Sequence, residues 1–185
     1  MRIISGKAKG TKLYTLEGMN TRPTLDRVKE SIFNIIQNDI VGSVVLDLFS
    51  GSGAIGLEMV SRGAESAILC DKSQEAIEVI KKNIIKTHME DKIKLYNLDF
   101  KQCLEKVKNQ KFDIIYIDPP YETNFIAQSL KMISEENILS ENGIIILETD
   151  DEEKILKNIE VLDYTIIDKR RYGRARIIFL NKTNN

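Results

Sequence analysis

The run Val44-Val45-Leu46-Asp47-Leu48-Phe49-Ser50-Gly51-Ser52-Gly53-Ala54-Ile55-Gly56 constrains this chain more than any other stretch. Its first residues form a short apolar run with two adjacent valines, the pattern of a buried strand. A glycine-rich turn follows at once, and Ala54, Leu57, Met59 and Val60 then open a helix. Strand, glycine turn and helix make the first βα unit of an open α/β sheet. In such sheets ligands sit at the carboxyl ends of the strands, where this turn lies. Gly51 and Gly53 permit backbone angles and a close ligand approach that a Cβ would block. The spacing Gly51-Ser52-Gly53-Ala54-Ile55-Gly56 matches G-x-G-x-x-G. By itself it fits either a dinucleotide or S-adenosylmethionine.

The rest of the chain repeats the unit. Ser66–Cys70 reads as a second strand ending in Asp71, about twenty residues past the first glycine, where a carboxylate can accept from ribose hydroxyls. Ser73 is placed to cap the next helix, whose inner face is Ala76, Ile77, Ile80 and Ile84. Ile93–Leu98 alternates as a third strand and is closed by Asp99-Phe100. A short helix with Cys103, Leu104 and Val107 on its inner face follows. Phe112–Ile117 is a fourth, nearly continuous apolar strand, then comes a helix marked by Ile126, Leu130 and Ile133, and Gly143–Glu148 is a fifth strand. Strands near 164–168 and 174–180 flank Arg170-Arg171-Tyr172-Gly173, a late hairpin that gives a parallel sheet an antiparallel edge. Upstream, Arg2–Ser5 and Lys12–Tyr14 flank Gly6-Lys7-Ala8-Lys9-Gly10 and predict a small basic β-hairpin. Thr24 and Asp26 predict the start of a helix whose inner face is Leu25, Val28, Ile32 and Ile35. The expected division is a hairpin extension over 1–20 and an α/β domain over 21–185.

Composition narrows the function. No apolar run approaches the roughly 18 residues of a membrane span, and the first residues lack the apolar core of a secretory signal. Cys70 and Cys103 have no metal or redox spacing and fit buried thiols in a reducing cytoplasm. His88, in a polar stretch, is the one histidine, so histidine catalysis and a His/Cys metal site are not expected. The net charge of −1 conceals an uneven spread. Arg2, Lys7, Lys9, Lys12 and Arg22 face only Glu17, and a second basic group centres on Arg170, Arg171 and Arg174. Two basic ends on an acidic body suit a polyanion partner, although solvated surface is the commoner meaning of a charge run.

Asp118-Pro119-Pro120-Tyr121, at the end of the fourth strand, decides the chemistry. Two prolines fix two φ angles and remove two N–H donors. What faces outward is acceptor-rich: the Asp118 carboxylate and the Pro119 carbonyl. A planar amine with two N–H groups needs two such acceptors, and Tyr121 adds a face on which a base can stack. An amine held this way can turn its nitrogen lone pair toward an electrophile, which suits methyl transfer to an exocyclic amine of a nucleobase.

These motifs, in order from Val44–Gly53 through Asp71 and Asp99-Phe100 to Asp118–Tyr121, resemble those of amino-methylating class I S-adenosylmethionine-dependent methyltransferases. The resemblance sharpens near the start. Arg2–Lys7, Gly10, Lys12-Leu13, Arg22–Glu30 and Phe33-Asn34 resemble the RsmD family, which methylates the exocyclic N2 of a guanine in bacterial 16S rRNA. The resemblance runs from Arg2 to near Leu180. Ser5 departs from it where glycine is usual, and Tyr121 where phenylalanine is common, which leaves adenine N6 or another amine of RNA or DNA as an alternative target. It implies a Rossmann-like sheet of seven strands, one antiparallel. It implies S-adenosylmethionine held by Asp47, Phe49 and Ser50–Gly53 at the methionine part, Asp71 and Lys72 at the ribose, and Asp99 and Phe100 at the adenine. Asp118, Pro119, Pro120 and Tyr121 would hold the target base. The RNA, as 16S rRNA or the small ribosomal subunit, would meet Arg2, Lys7, Lys9, Lys12, Arg22, Arg27, Arg170, Arg171 and Arg174. A cytoplasmic monomer without metal or membrane partner is expected. An NAD-dependent oxidoreductase would leave Asp118–Tyr121 without a role, and a non-catalytic RNA-binding module would leave the cofactor residues without one.

Overall fold

The computed structural model describes residues 1–16, 23–120, 124–159 and 162–183. Arg22 and Tyr121, both expected in the site, lie outside the described residues. Among the described residues, seven strands form one sheet in the order β3-β2-β1-β4-β5-β7-β6. They are β1 (Val44–Asp47), β2 (Ser66–Asp71), β3 (Ile93–Asn97), β4 (Phe112–Ile117), β5 (Leu139–Thr149), β6 (Tyr164–Tyr172) and β7 (Ala175–Lys182). The first five run parallel. β7 runs antiparallel to both of its neighbours, β5 and β6. The chain order reverses between β1 and β4, so a crevice opens beyond their carboxyl ends.

Among the described residues, six helices cover the two faces: α1 (Pro23–Ile35), α2 (Ala54–Ser61), α3 (Gln74–Thr87), α4 (Phe100–Val107), α5 (Phe125–Glu135) and α6 (Glu152–Ile159). One core layer joins Val28 and Ile32 of α1, Leu57 of α2 and Ile80 and Ile84 of α3 to Val45, Ile114 and Ile146 of the sheet. The other joins Leu104 of α4, Leu130 of α5 and Ile155 of α6 to Leu46, Ile115 and Leu147. The parity along each strand explains the division: adjacent strand residues point to opposite faces. Ser73 caps α3, its side chain accepting from the Ala76 N–H. α1 begins at Pro23, so Thr24 lies inside the first turn rather than at the cap. Proline suits the first helical position because its missing N–H has no partner there in any case.

The N-terminal segment turns back on itself through an antiparallel bridge, Arg2 to Lys12, too short to count as a pair of strands. Its two arms pair through the Ile3 N–H to the Thr11 carbonyl and the Leu13 N–H to the Met1 carbonyl, each at 3.0 Å, while donors of the stretch between them go to α2. Ile4 and Ser5 donate to the fully buried Glu58 carboxylate at 2.7 and 2.9 Å, and Lys7 donates to the Ser61 carbonyl at 2.8 Å. Gly6 sits at φ 82°, and a Cβ there would fall 1.8 Å from the Ser61 carbonyl oxygen. Ile3 and Leu13 of this segment are buried in the same core layer as α1 and α2.

Candidate active site

The glycine turn is wired to its neighbours by Ser50. The Ser50 hydroxyl donates to the Asp47 carbonyl at 2.8 Å and accepts from the Cys70 N–H at 3.0 Å. The Ser50 N–H donates to the Cys70 carbonyl at 2.9 Å, and its carbonyl accepts from Gly53 at 2.7 Å. Gly51 and Gly53 both have positive φ, 55° and 77°. Beside Gly51 an added Cβ would meet nothing within 4 Å, so the turn borders open space there. Asp71 stands across that turn: one oxygen accepts from the Gly51 N–H and the other from the Ser73 N–H, each at 2.9 Å. It stays half-buried, with lone pairs left for a ligand. Lys72 next to it is exposed.

Asp99 is spent largely on its own helix. Its Oδ1 accepts from the Lys101 and Gln102 N–H groups at 2.8 and 3.0 Å, and the Gln102 side chain answers with a bond to the Asp99 N–H, which completes a capping box. Phe100 is buried and packs on Phe49 at 5.5 Å between ring centroids. A third ring joins them that the sequence did not single out: Phe125, 4.9 Å from Phe100 and stacked on Phe49 at 6.2 Å.

Asp118 follows β4, with Pro119 buried and Pro120 exposed beside it. Its carboxylate is half-buried and carries no hydrogen bond to another described residue. Strand register gathers further polar groups around it. Asp47 of β1 pairs with Tyr116 of β4, and Tyr116 pairs with Ile146 of β5. Two residues further along, on the same face, come Asp118 and Glu148. The Tyr116 hydroxyl donates to Glu148 at 3.0 Å. Asp47 is 1% exposed; one oxygen accepts from the Gly56 N–H at 3.2 Å, and the other is buried with no partner. Burial, with the negative charge of Asp71 beside it, pushes the Asp47 carboxyl up to about 7. Burial and the neighbouring carboxylates Glu148 and Asp47 raise Asp118 well above the ordinary carboxylate range. Burial raises Glu148 as well, against the Tyr116 hydrogen bond. Neither Glu148 nor Tyr116 stood out in the sequence. The available signal was an acid at the carboxyl end of a strand, the same signal that marked Asp71.

Arg2, Lys7, Lys9, Lys12, Arg27, Arg170, Arg171 and Arg174 are all exposed. The β6–β7 turn lies at the carboxyl edge, because Thr149 at the end of β5 pairs with Arg176 at the start of β7. Near that turn Tyr172 hydrogen-bonds Ser31 of α1, and Lys29 of α1 donates to the Arg2 carbonyl at 3.1 Å. α1 thus joins the two basic groups on one side of the sheet. Arg170 is partly engaged by Asp168 at 2.8 Å. Among the described residues no cluster of metal-ligating side chains occurs, and no helix is long and apolar enough to cross a membrane. Cys70 and Cys103 are buried and free, as expected.

The family model described as Conserved hypothetical protein 95 matches residues 1–181. The YlbH protein of Bacillus subtilis is 36% identical over 98% of this chain and 99% of its own length. Ribosomal RNA small subunit methyltransferase D of Haemophilus influenzae is 34% identical over 84% of this chain and 82% of its own. The solved structure of the Escherichia coli protein yhhF superposes with a TM-score of 0.86 at 25% identity, covering 100% of this chain and 99% of that one.

Proposed function

The chain belongs to the Conserved hypothetical protein 95 family, the RsmD family, and from that premise we propose that it transfers a methyl group from S-adenosylmethionine to the exocyclic N2 of a guanine in 16S rRNA. The observation that carries the reading is the pairing of two acceptors on one sheet face. Asp118 stands just past the carboxyl end of β4 with no hydrogen bond to another described residue, and Asp47 holds a buried oxygen with no partner.

The residues fit the cofactor. The orphaned Asp47 oxygen suits an ammonium, and the space beside Gly51 suits a close backbone approach. Asp71 can accept from ribose hydroxyls, and the ring cluster of Phe49, Phe100 and Phe125 offers an apolar wall for a base. S-adenosylmethionine supplies an activated methyl group, so the protein's contribution is mostly alignment. Asp118 and the Pro119 carbonyl accept from the target amine and turn its lone pair toward that methyl. The target guanine must first leave its stack, at a cost of a few kcal/mol. Arg2, Lys7, Lys9, Lys12, Arg27 and the Arg170–Arg174 turn hold phosphates, which position the RNA without reading its sequence.

The test is transfer of labelled methyl to 16S rRNA and to assembled small subunits, with the modified nucleoside identified by mass spectrometry. N2-methylguanine is expected. Labelled N6-methyladenine would move the target to adenine, and an unlabelled RNA would remove the RNA reading. Asp118→Ala should lose turnover while keeping cofactor affinity. Asp71→Ala should instead lose cofactor affinity by roughly 1.5–3 kcal/mol, the value of hydrogen bonds to a charged group.

A further inference from the structure

Glu148 takes no part in methyl transfer as proposed, yet it is 8% exposed, a burial that a carboxylate rarely reaches without a cation. The ion pairs of the described residues include no lysine or arginine at Glu148 or Asp118. The register places the two side by side: Ile117 pairs with Leu147, and the next residues along the parallel strands are Asp118 and Glu148. Among the described residues, the groups that interact with them are acidic or neutral. Asp47 comes from β1 with Asp71 beyond it, Tyr116 from β4, and Ile177 of β7 pairs with Glu148 on the far side. Cations of two flanking elements are engaged with other acids: Lys29 of α1 lies 3.5 Å from Glu58, and Arg176 of β7 lies 3.7 Å from Glu152.

Two adjacent carboxylates without a cation do not both ionise readily, and their protons belong to the pair. Resting on the methyl-transfer reading, we propose that Asp118 and Glu148 act as one proton store that empties when the positively charged donor binds and refills when the methyl group leaves it. Glu148 acts through Asp118 and is a positioning residue; Tyr116 holds it by its hydroxyl. The balance closes over a cycle. The pair holds one proton before the donor enters, and the sulfonium charge displaces it to solvent. In the transfer, a bond forms between the target nitrogen and the methyl carbon. The carbon–sulfur bond breaks with its electron pair left on sulfur. The proton shed by the nitrogen passes to Asp118 and is shared with Glu148, because the positive charge that kept the pair ionised has gone. Burial of both acids, which raises their affinity for protons, works in the same direction.

Asp47 does not confuse the test. It responds to the ammonium, which S-adenosylmethionine and S-adenosylhomocysteine share, whereas only the former carries a charged sulfur. The experiment is titration calorimetry of the full chain with each ligand near neutral pH, in buffers of different ionisation enthalpy. S-adenosylmethionine should release up to about one proton more than S-adenosylhomocysteine. Glu148→Gln should bind both ligands and lose most of that difference. Tyr116→Phe removes a hydrogen bond to the ionised acid, so the pH at which the difference peaks should move upward. Equal proton release by the two ligands in the parent, or an undiminished difference in Glu148→Gln, overturns the proton store and leaves the methyl-transfer reading standing. If Glu148→Gln does not fold, an unmoved pH peak in Tyr116→Phe overturns it instead. Failure of both ligands to bind removes the methyl-transfer reading and this inference with it.

Discussion

Asn83 closes a two-bond ring with the Tyr14 backbone: the Tyr14 N–H donates to its Oδ1 at 2.8 Å, and its Nδ2 donates to the Tyr14 carbonyl at 2.9 Å. The same Nδ2 reaches the Ser52 carbonyl in the glycine turn, also at 2.9 Å. Asn83 itself is fully buried in the middle of α3. One amide side chain therefore ties the end of the N-terminal segment to the turn proposed to hold the cofactor. The Lys86 ammonium, one helical turn further on, lies 4.3 Å from the centre of the Tyr14 ring.

Asn83→Ala should lower stability by about 1–3 kcal/mol, because it leaves buried backbone groups without partners. Urea unfolding should show a lower midpoint with an unchanged slope. Cofactor affinity should fall too, since the Ser52 carbonyl loses its anchor. Asn83→Asp retains the acceptor for the Tyr14 N–H but sets a buried carboxylate against the Tyr14 and Ser52 carbonyls, so it should destabilise at least as much as Asn83→Ala and still bind cofactor weakly. A variant with lower stability but parental cofactor affinity would confine the clamp to the N-terminal segment.

How much of the fold was legible in the sequence depended on how local the signal was. The glycine turn, the Ser73 cap and the alternation of Ile93–Leu98 are local, and each forms where its residues indicate. α6 escaped notice because Ile155 and Ile159 give a helical period over only two turns. The N-terminal hairpin was expected from alternation on both sides of a glycine loop. Its arms pair only briefly, through Ile3 to Thr11 and Leu13 to Met1, because Ile4, Ser5 and Ala8 donate instead to Glu58 and Ser61, more than fifty residues away, which alternation cannot register. Glu148 read as the last residue of a strand, and only the pairing of β4 with β5 sets it beside Asp118. Phe125 likewise joins Phe49 and Phe100 through tertiary packing alone.

The buried Asp47 makes stability depend on pH in a specified direction. Its carboxyl rises from an ordinary value near 3.8 to about 7, mainly through burial. Between those values the native state keeps a proton that the unfolded chain releases. Stability from this group therefore falls as pH climbs from about 4 to about 7 and is level above that. Asp118 and Glu148 are raised as well and act in the same sense. Asp47→Asn, which stays neutral, should gain on the parent as pH rises through this window, by at most roughly 4 kcal/mol in the absence of cofactor. It should also bind cofactor more weakly. Urea midpoints of both proteins at pH 5 and pH 8 decide the matter. A gap between them that does not grow with pH would mean that Asp47 is ionised at little cost.

The two basic groups meet on α1, and this makes RNA docking a question about one surface. The Arg2 carbonyl is held by Lys29, and Tyr172 beside the β6–β7 turn is held by Ser31, two residues later on the same helix. Lys7, Lys9 and Lys12 are exposed and have no ion-pair partner among the described residues, so their ammonium groups are available to phosphates. The Lys7 and Lys9 backbone N–H groups donate to the Ser61 and Gly6 carbonyls, and a side-chain change leaves those bonds intact. Replacing all three with glutamine should weaken RNA binding and make its log–log salt dependence shallower by roughly 0.7–0.9 for each phosphate that is no longer neutralised. Cofactor affinity should hold, because no hydrogen bond or ion pair among the described residues joins these three side chains to the glycine turn. Replacing Arg170, Arg171 and Arg174 should act similarly, with a smaller effect from Arg170, which is shared with Asp168. If both groups face one RNA, the slope of the combined variant should fall by the sum of the two separate decreases. RNA affinity measured over a salt series for each variant, with cofactor titration alongside, tests this. A parental slope in the lysine variant would show that the N-terminal segment serves the core rather than the substrate, and would leave the β6–β7 turn as the docking surface.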